Sequence, residues 1–418
     1  MRVRRFEVEG FKNIRQRVSL QDLGTLNVIY GENNVGKSNL LQSIALFFRL
    51  MDDSFGEIPP TRRRELKPQV PQALGLESSR IFDLLTGGAI RMHAQITFDE
   101  GETIPLDYVS SETVSEVEVA VVIEPAGSGG RYFFERVLVN RTWDPLPQGL
   151  VREVYEVFHF LSRVMVPRSD QVFHRFAFID ISRRTLPFTE VDRSSHEIIP
   201  PSRLLELFDA RESTEPLLYQ RWQLFVETLS RFSDVMGFGQ PMVLFDRHTG
   251  TARLVLQTER ARIPFDLMGS GVQQVVALVA QLILTNATFV AIEEPELNLR
   301  YALQGRLREM LESLVSHPAG PRQIFLSSHS NAFESGDAHY LMSMTPRGPT
   351  VERRLHDRTE RYGNSVVTPV SSQPPPAAAH STSTPPAMPS MRPRSQTLPD
   401  VTAGQFFGDP TIIQRKKT

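Results

Sequence analysis

The chain has 418 residues, 46 Lys and Arg against 48 Asp and Glu for a formal net charge of −2, and no cysteine. That length allows two or three domains with a core that needs no staples, and the missing cysteines remove zinc-finger, thiol-nucleophile and disulfide readings and suit a reducing cytosol. Near-neutral charge argues against a uniformly basic nucleic-acid binder while leaving room for local patches, and no apolar run approaches the roughly 18 residues of a membrane span.

The N-terminus, Met1-Arg2-Val3-Arg4-Arg5, has no apolar signal region and no cleavage site, so a cytoplasmic protein is expected. Residues 6–14 alternate and then break, which predicts a strand and a turn, and Val18–Leu20 and Leu26–Tyr30 read as further short strands. Gly31-Glu32-Asn33-Asn34-Val35-Gly36-Lys37-Ser38-Asn39 follows, and residues 40–50 carry apolar side chains at helical spacing. Strand, glycine loop and helix in that order suit a triphosphate. Gly31 and Gly36 let the backbone approach a ligand closely, and consecutive N–H groups with those of Asn33 and Asn34 can form an anion-binding nest at the helix start. Lys37 would reach the β- and γ-phosphates, and the Ser38 hydroxyl would ligate Mg²⁺.

The opening strand with Gly10-Phe11-Lys12-Asn13-Ile14, followed within twenty residues by Gly31 to Asn39, resembles the start of the RecF, SMC and OLD (overcoming lysogenization defect) group of ABC-type ATPases. The middle of the chain has no motif as diagnostic, and residues 51–264 read as an inserted mixed helical and β lobe. Residues 90–98, 116–124 and 131–140 alternate like strands, with 125–130 as a hairpin turn. Residues 151–166 are helical in pattern, and 176–181 read as a buried strand running into Arg183 and Arg184. In Pro216–Met236 the apolar residues Leu218, Trp222, Phe225, Leu229, Phe232 and Met236 form a heptad stripe. It lasts about three heptads before Gly237 and Gly239, too short for a long coiled coil, so a core-facing helix is expected. Basic clusters at Arg2, Arg4 and Arg5, at Arg62, Arg63, Arg64 and Lys67, at Arg183 and Arg184, and at Arg353 and Arg354 each read as a solvated face.

Leu267-Met268-Gly269-Ser270-Gly271-Val272-Gln273-Gln274 opens a predicted helix running to about Thr285, with backbone N–H groups and a serine hydroxyl at its start. By resemblance it is the ABC signature, with Ser270 and Gly271 contacting the nucleotide of a second subunit, which implies a head-to-tail homodimer or higher oligomer around two ATP molecules. Residues 288–292 form a buried-type strand ending in Glu293-Glu294-Pro295-Glu296. Adjacent carboxylates there must stay solvated or find a cation, which suits Mg²⁺. The resemblance implies that Glu293 orients the metal shell and Glu294 polarises the attacking water, though the family often has Asp at the first position. Residues 295–299 resemble the D-loop that lines the dimer seam. After a helix from Tyr301, the strand at 323–326 ends in Ser327-Ser328-His329-Ser330, where His329 resembles the switch histidine that contacts the γ-phosphate. The Q-loop glutamine has no secure match, with Gln95 as a candidate.

The expected fold is α/β: a P-loop NTPase of the ABC-ATPase head type with an antiparallel β subdomain. Residues 1–50 and 265–356 form the core, 51–264 the inserted lobe, and 357–418 a Pro/Ser-rich disordered tail with a docking peptide at its end. The cofactors implied are ATP and Mg²⁺. The resemblance further implies a DNA-associated ATPase acting in DNA repair or in defence against phage or plasmids. Fewer than ninety residues follow His329, too few for the TOPRIM nuclease of many OLD-type relatives, so a nuclease or toxin would be a separate effector chain. Two other classes stay open: the ATPase subunit of a transporter, disfavoured by the about 257 positions between Gly36 and Glu293, and an ATP-dependent protein scaffold.

Overall fold

Two strand patterns build two kinds of sheet, and the glycine loop hangs from the more buried of them. The computed structural model describes residues 1–54, 78–99 except 84 and 86, 114–140 except 127 and 128, 157–159 and 161, 176–180, and 201–354 except 238, 249, 259, 286 and 334–337. The tail at 357–418 with its docking peptide, Arg62, Arg63, Arg64, Lys67, Arg183 and Arg184 lie outside those residues.

The first half contains β1 (Arg2–Glu9), β2 (Val18–Leu20), β3 (Leu26–Tyr30), α1 (Lys37–Ser54), β4 (Ile90–Thr97), β5 (Glu116–Ala126), β6 (Gly129–Val139) and β7 (Phe176–Asp180). Next come α2 (Pro201–Glu212), α3 (Pro216–Met236), β8 (Gln240–Asp246), β9 (Thr251–Gln257), β10 (Arg262–Pro264), α4 (Ser270–Leu284) and β11 (Phe289–Glu293). The described part closes with α5 (Tyr301–Ser316), β12 (Gln323–Ser328), β13 (Ala338–Thr345) and β14 (Gly348–Arg354).

The central sheet has the order β14-β13-β3-β12-β11-β7, parallel throughout except for β14 at one edge. Its inner strands β11 and β12 are buried at every position, as expected of parallel strands covered on both faces. Period two still divides their side chains. Ile29, Phe176, Phe178, Phe289, Ala291 and Phe325 join the core around α1 and the antiparallel sheet. Val28, Ile179, Val290, Ile292, Ile324 and Leu326 join the core around α3, α4 and α5. Phe48 reaches from α1 to Phe176 and Phe289, with ring centroids 5.3 and 4.7 Å away. On α3, Pro216 occupies the first turn and Gly237 ends the helix at φ 68°. Phe225, Leu229 and Phe232 of its stripe are buried in that second core, so the heptad pattern serves one chain.

The five-stranded sheet, order β2-β1-β4-β5-β6, is antiparallel, and the small sheet β10-β9-β8 is separate from it. In β4 buried positions alternate with exposed or half-exposed ones, the pattern of a sheet with one covered face. These pairings correct the expectation that 51–264 is a single inserted lobe. Strands β4, β5 and β6 extend the sheet of β1, with Phe6 opposite Ala94 and Val8 opposite Met92, while β7 lies beside β11 in the central sheet. Among the described elements of this span, α2, α3, β8, β9 and β10 lie outside those two sheets, with α2 and α3 packed into the second core. Alternation identifies a strand but not its neighbour, and β1, besides pairing with β2, pairs with β4 about ninety residues downstream. The β13–β14 hairpin has no counterpart among the sequence-based elements. No helix among the described residues is long and apolar enough to cross a membrane.

One buried side chain bolts the two sheets together. Gln323, fully buried at the start of β12, accepts from Val3 N at 2.9 Å and donates to Val3 O at 2.9 Å and Gly24 O at 2.7 Å. Gln323→Leu would remove the side-chain partner of Val3 N and Val3 O, at roughly 1–3 kcal/mol for each buried group, while Gly24 O keeps Asn27 Nδ2 at 3.0 Å. Thermal or urea unfolding of this variant is expected to register a loss of about 3 kcal/mol or more.

Candidate functional site

Between β3 and α1 the backbone of residues 31–36 takes a path that side chains would block. Gly31 has φ +151°, and a Cβ there would stand 2.2 Å from Met342 O of β13; Gly36 has φ +104°, and a Cβ would stand 2.8 Å from the Asn13 carboxamide. Asn34 is left-handed at φ 65°, a conformation asparagine tolerates. Val35 is buried and pins the loop, while Asn33 and Asn34 are exposed. Behind the loop, the Gly10-to-Ile14 turn braces α1: Lys12 Nζ donates to Gln42, and Asn39 Nδ2 donates to Asn13 Oδ1 at 2.8 Å. Asn39, expected at the nucleotide, thus spends its side-chain amide on this brace.

Lys37 is 5% exposed and folds back over its loop, donating to Gly31 O at 3.0 Å and Glu32 O at 2.8 Å. Its Nζ also lies 3.4 Å from His329 Nδ1, and His329 Nε2 lies 2.8 Å from Glu294 Oε1. An ammonium at Nδ1 makes that nitrogen the acceptor, so Nε2 carries the proton and donates to Glu294. Burial pushes the Lys37 ammonium below the usual lysine range, and the charges of Glu294, Glu296 and Glu293 oppose that shift without cancelling it. Three carboxylates therefore face one partly desolvated cation.

The carboxylates come from the end of β11. Glu293 is buried as the last residue of the strand. Glu294 turns the chain at φ 45°, with its N–H on Ser327 O at 3.1 Å. A left-handed glutamate costs roughly 1–3 kcal/mol and is characteristic of functional turns. Glu296 turns inward: its Oε1 accepts from Ser328 Oγ and from His329 N, both at 2.7 Å. Sequence reasoning placed Glu296 only in a seam-lining loop.

Ser270 begins α4 after the cap residue Gly269 and is exposed. No hydrogen bond among the described residues joins Ser270 or Gly271 to residues 31–39. Instead, α4 is tied to the loop after β11. Gln274 Nε2 donates to Pro295 O at 3.0 Å, Asn298 Nδ2 lies 3.3 Å from Gln274 Oε1, and a Cβ on Gly271 would stand 3.5 Å from Asn298 O. Leu267 and Tyr301, near the starts of α4 and α5, are 72% and 68% exposed. Gln95 lies inside β4, not in a loop, with its amide on Glu116 Oε1 at 2.7 Å, which removes it as the Q-loop candidate.

The chain thus brings Lys37, His329 and Glu294 into one hydrogen-bonded row, with Glu293 and Glu296 beside it. This arrangement can grip a phosphate, orient a water and accept its proton. For Mg²⁺ the donors fit. Ser38 and Glu293 offer the hard oxygens this ion takes, and no described hydrogen bond engages the Ser38 hydroxyl. No three His, Cys, Asp or Glu side chains gather into a cage among the described residues, as expected of an ion completed by substrate phosphates.

The family described as "AAA domain, putative AbiEii toxin, Type IV TA system" matches residues 26–333, a span that runs from β3 past His329. An "ATP/GTP phosphatase" of Helicobacter pylori is 20% identical over 342 residues, which are 78% of this chain and 85% of that protein. Among solved structures, an SMC head bound to the C-terminal winged-helix domain of ScpA superposes with a TM-score of 0.53 at 15% identity, over 86% of this chain and all of the head. An SMC head with an extended coiled coil, bound to the C-terminal domain of ScpA derived from Pyrococcus furiosus, superposes with a TM-score of 0.50 at 12% identity, over 86% of this chain and 98% of that one. The fold is therefore that of an ABC-type ATPase head.

Gly36→Ala tests the loop geometry, because it meets both the positive φ and the Asn13 carboxamide. A fluorescent ATP analogue should bind this variant about tenfold or more weaker, from strain of roughly 1–3 kcal/mol. Adding Asn13→Gly should recover only the steric part.

Proposed function

The chain belongs to this AAA-domain family and is an ATPase, and from that premise we propose that two copies close around two ATP molecules. Each nucleotide is held with Mg²⁺ by the glycine loop of one copy and by the start of α4 of the other. The observation that carries the catalytic part is the row Lys37, His329, Glu294, at 3.4 and 2.8 Å.

In this reading the Gly31, Asn33, Asn34 and Gly36 backbone cradles the phosphates, and Lys37 exchanges its carbonyl partners for γ-phosphate oxygens. Phosphate carries the greater charge, so the charge-assisted bonds are the stronger. Ser38 and Glu293 would hold Mg²⁺, which would supply neutralisation of the phosphate charge. His329 turns its one N–H, at Nε2, from Glu294 to the terminal phosphate, and the released Glu294 carboxylate faces the attacking water. It takes the proton as the water oxygen bonds to phosphorus and the bond to ADP breaks. His329 bonds the terminal phosphate and registers its departure.

Support for the second copy comes from exposure. Ser270 and Gly271 have no hydrogen bond to their own glycine loop, and Leu267 and Tyr301 present large apolar surfaces near the same helix starts. Closure on ATP and release after hydrolysis would make the dimer a switch. We further infer that the switch acts on DNA, in repair or in defence against phage and plasmids, with a separate nuclease or toxin as effector. This rests on the resemblance of the opening turn and signature to the RecF, SMC and OLD group, and on the family description, which names a toxin–antitoxin system.

Lys37→Ala is expected to abolish ATP binding, whereas Glu294→Gln should keep binding, lose turnover by about 100-fold or more, and accumulate a dimer in light scattering with ATP. Normal turnover in Glu294→Gln would remove Glu294 as the base. ATP turnover measured with and without double-stranded DNA should rise with DNA, and no response would end the DNA reading.

A further inference from the structure

Glu296 is a carboxylate in a place where a carboxylate costs free energy. It is 7% exposed, and its Oε2 is buried with no hydrogen-bond partner. Burying an anion with one oxygen unused costs free energy, which the bonds accepted by the other oxygen must offset. Its Oε1 accepts two bonds at 2.7 Å, from the Ser328 hydroxyl and from the backbone N–H of His329, short distances for charge-assisted bonds.

Those donors lie where the chain leaves β12, at and just past the pairing of Ser328 with Tyr30. The Ser328 hydroxyl that donates to Glu296 accepts from Ser330 N at 3.0 Å. Ser330 Oγ in turn donates to Gln304 and accepts from Ala332 N at 3.1 Å. Ser-Ser-His-Ser is thus a run of side-chain caps, and Glu296 is its anchor on the loop after β11. The same loop is tied to α4 through Pro295 and Asn298, so Glu296 transmits a fixed position from one rigid element to another. His329 is the one residue of the run whose side chain points into the row with Lys37 and Glu294.

We propose that Glu296 is a positioning residue for ATP hydrolysis: by fixing the His329 backbone N–H and the Ser328 hydroxyl, it holds the His329 imidazole between Lys37 and Glu294. The proposal rests on the reading of His329 as the γ-phosphate contact. It also gives the third acidic residue of Glu293-Glu294-Pro295-Glu296 an intrachain role distinct from metal binding and from proton transfer.

The test is a double-mutant cycle of Glu296→Ala and His329→Ala on the full chain, with kcat and KM for ATP, the Kd of a non-hydrolysable ATP analogue and a thermal melt for each protein. Glu296→Ala should lower kcat about tenfold or more while the analogue Kd moves less than about threefold, and the double variant should be no slower than His329→Ala alone. Glu296→Gln keeps an oxygen acceptor for both donors and should restore kcat to within about threefold of wild type. Wild-type kcat in Glu296→Ala, losses that multiply in the double variant, or Glu296→Gln as slow as Glu296→Ala would each overturn the proposal. His329→Ala with normal turnover would sink the His329 reading and this proposal together, whereas a slow His329→Ala with multiplying losses sinks the proposal alone. If the melt reports that Glu296→Ala is unfolded, Ser328→Ala takes its place in the cycle. Its smaller loss of kcat should vanish on the His329→Ala background, and persistence there counts against the anchor.

Discussion

Parallel pairing of β3, β12 and β11 in unbroken register is the constraint from which the site follows. Tyr30 lies opposite Ser328, and Ser327 lies opposite Glu293, so three strands end along one edge. The glycine loop leaves from the first, His329 from the second and Glu294 from the third. Residues that are far apart in sequence therefore meet without any of the three loops reaching out. Ligand sites of open α/β sheets form outside the carboxyl ends of the strands for this geometric reason. The register is secured by two cores that divide the side chains of each strand by parity. A slip of one residue would put Phe289 and Phe325 among α3, α4 and α5, and would turn Val290 and Ile324 towards α1.

The charges at that edge are arranged so that none is isolated. Lys37 lies among three carboxylates, and Glu294 and Glu296 reach it through His329, one by the imidazole and the other by the backbone N–H. Burial strengthens the bonds made by Lys37 and Glu296 and makes an unpaired member costly, whereas the His329–Glu294 pair is about one-third exposed. The histidine therefore has a fixed tautomer and a fixed place, and small rearrangements at the strand end have large electrostatic effects. The tie from Gln274 to Pro295 and Asn298 extends the same rigidity to α4.

Features written in local backbone chemistry were legible in the sequence. The glycines at 31 and 36 occupy positive φ, Gly237 ends α3 in the left-handed region, and the apolar runs at β11 and β12 are buried on both sides. Features that depend on which element meets which were not. Alternation in residues 90–97 marks a strand but carries nothing about pairing with β1, so the middle of the chain read as one lobe. The β13–β14 hairpin lacked a clean period: Ala338, His339 and Tyr340 are buried in succession beside β3, while β14 is a half-exposed edge. Asn39 looked like a phosphate contact because of its neighbours in sequence, and only the placement of Asn13 reveals its other duty. Glu296 read only as part of the seam-lining loop at 295–299. Its inward turn follows from the left-handed Glu294 before it, which no local propensity favours.

The strand that carries the glycine loop has a consequence for biosynthesis. Among the described strands β3 pairs with β12 and β13, and its nearest partner in sequence, Ile324, is made about 300 residues after Leu26. At translation speeds of about 5–20 residues per second, Leu26-Asn27-Val28-Ile29-Tyr30 spends roughly 15–60 s outside the ribosome with both edges open. During that interval Gly31 has no Met342 carbonyl to shape it and Lys37 has no His329. A growing chain therefore cannot complete the nucleotide grip until nearly all of its core has been synthesised, and the exposed apolar strand is the segment most in need of a chaperone's cover while it waits.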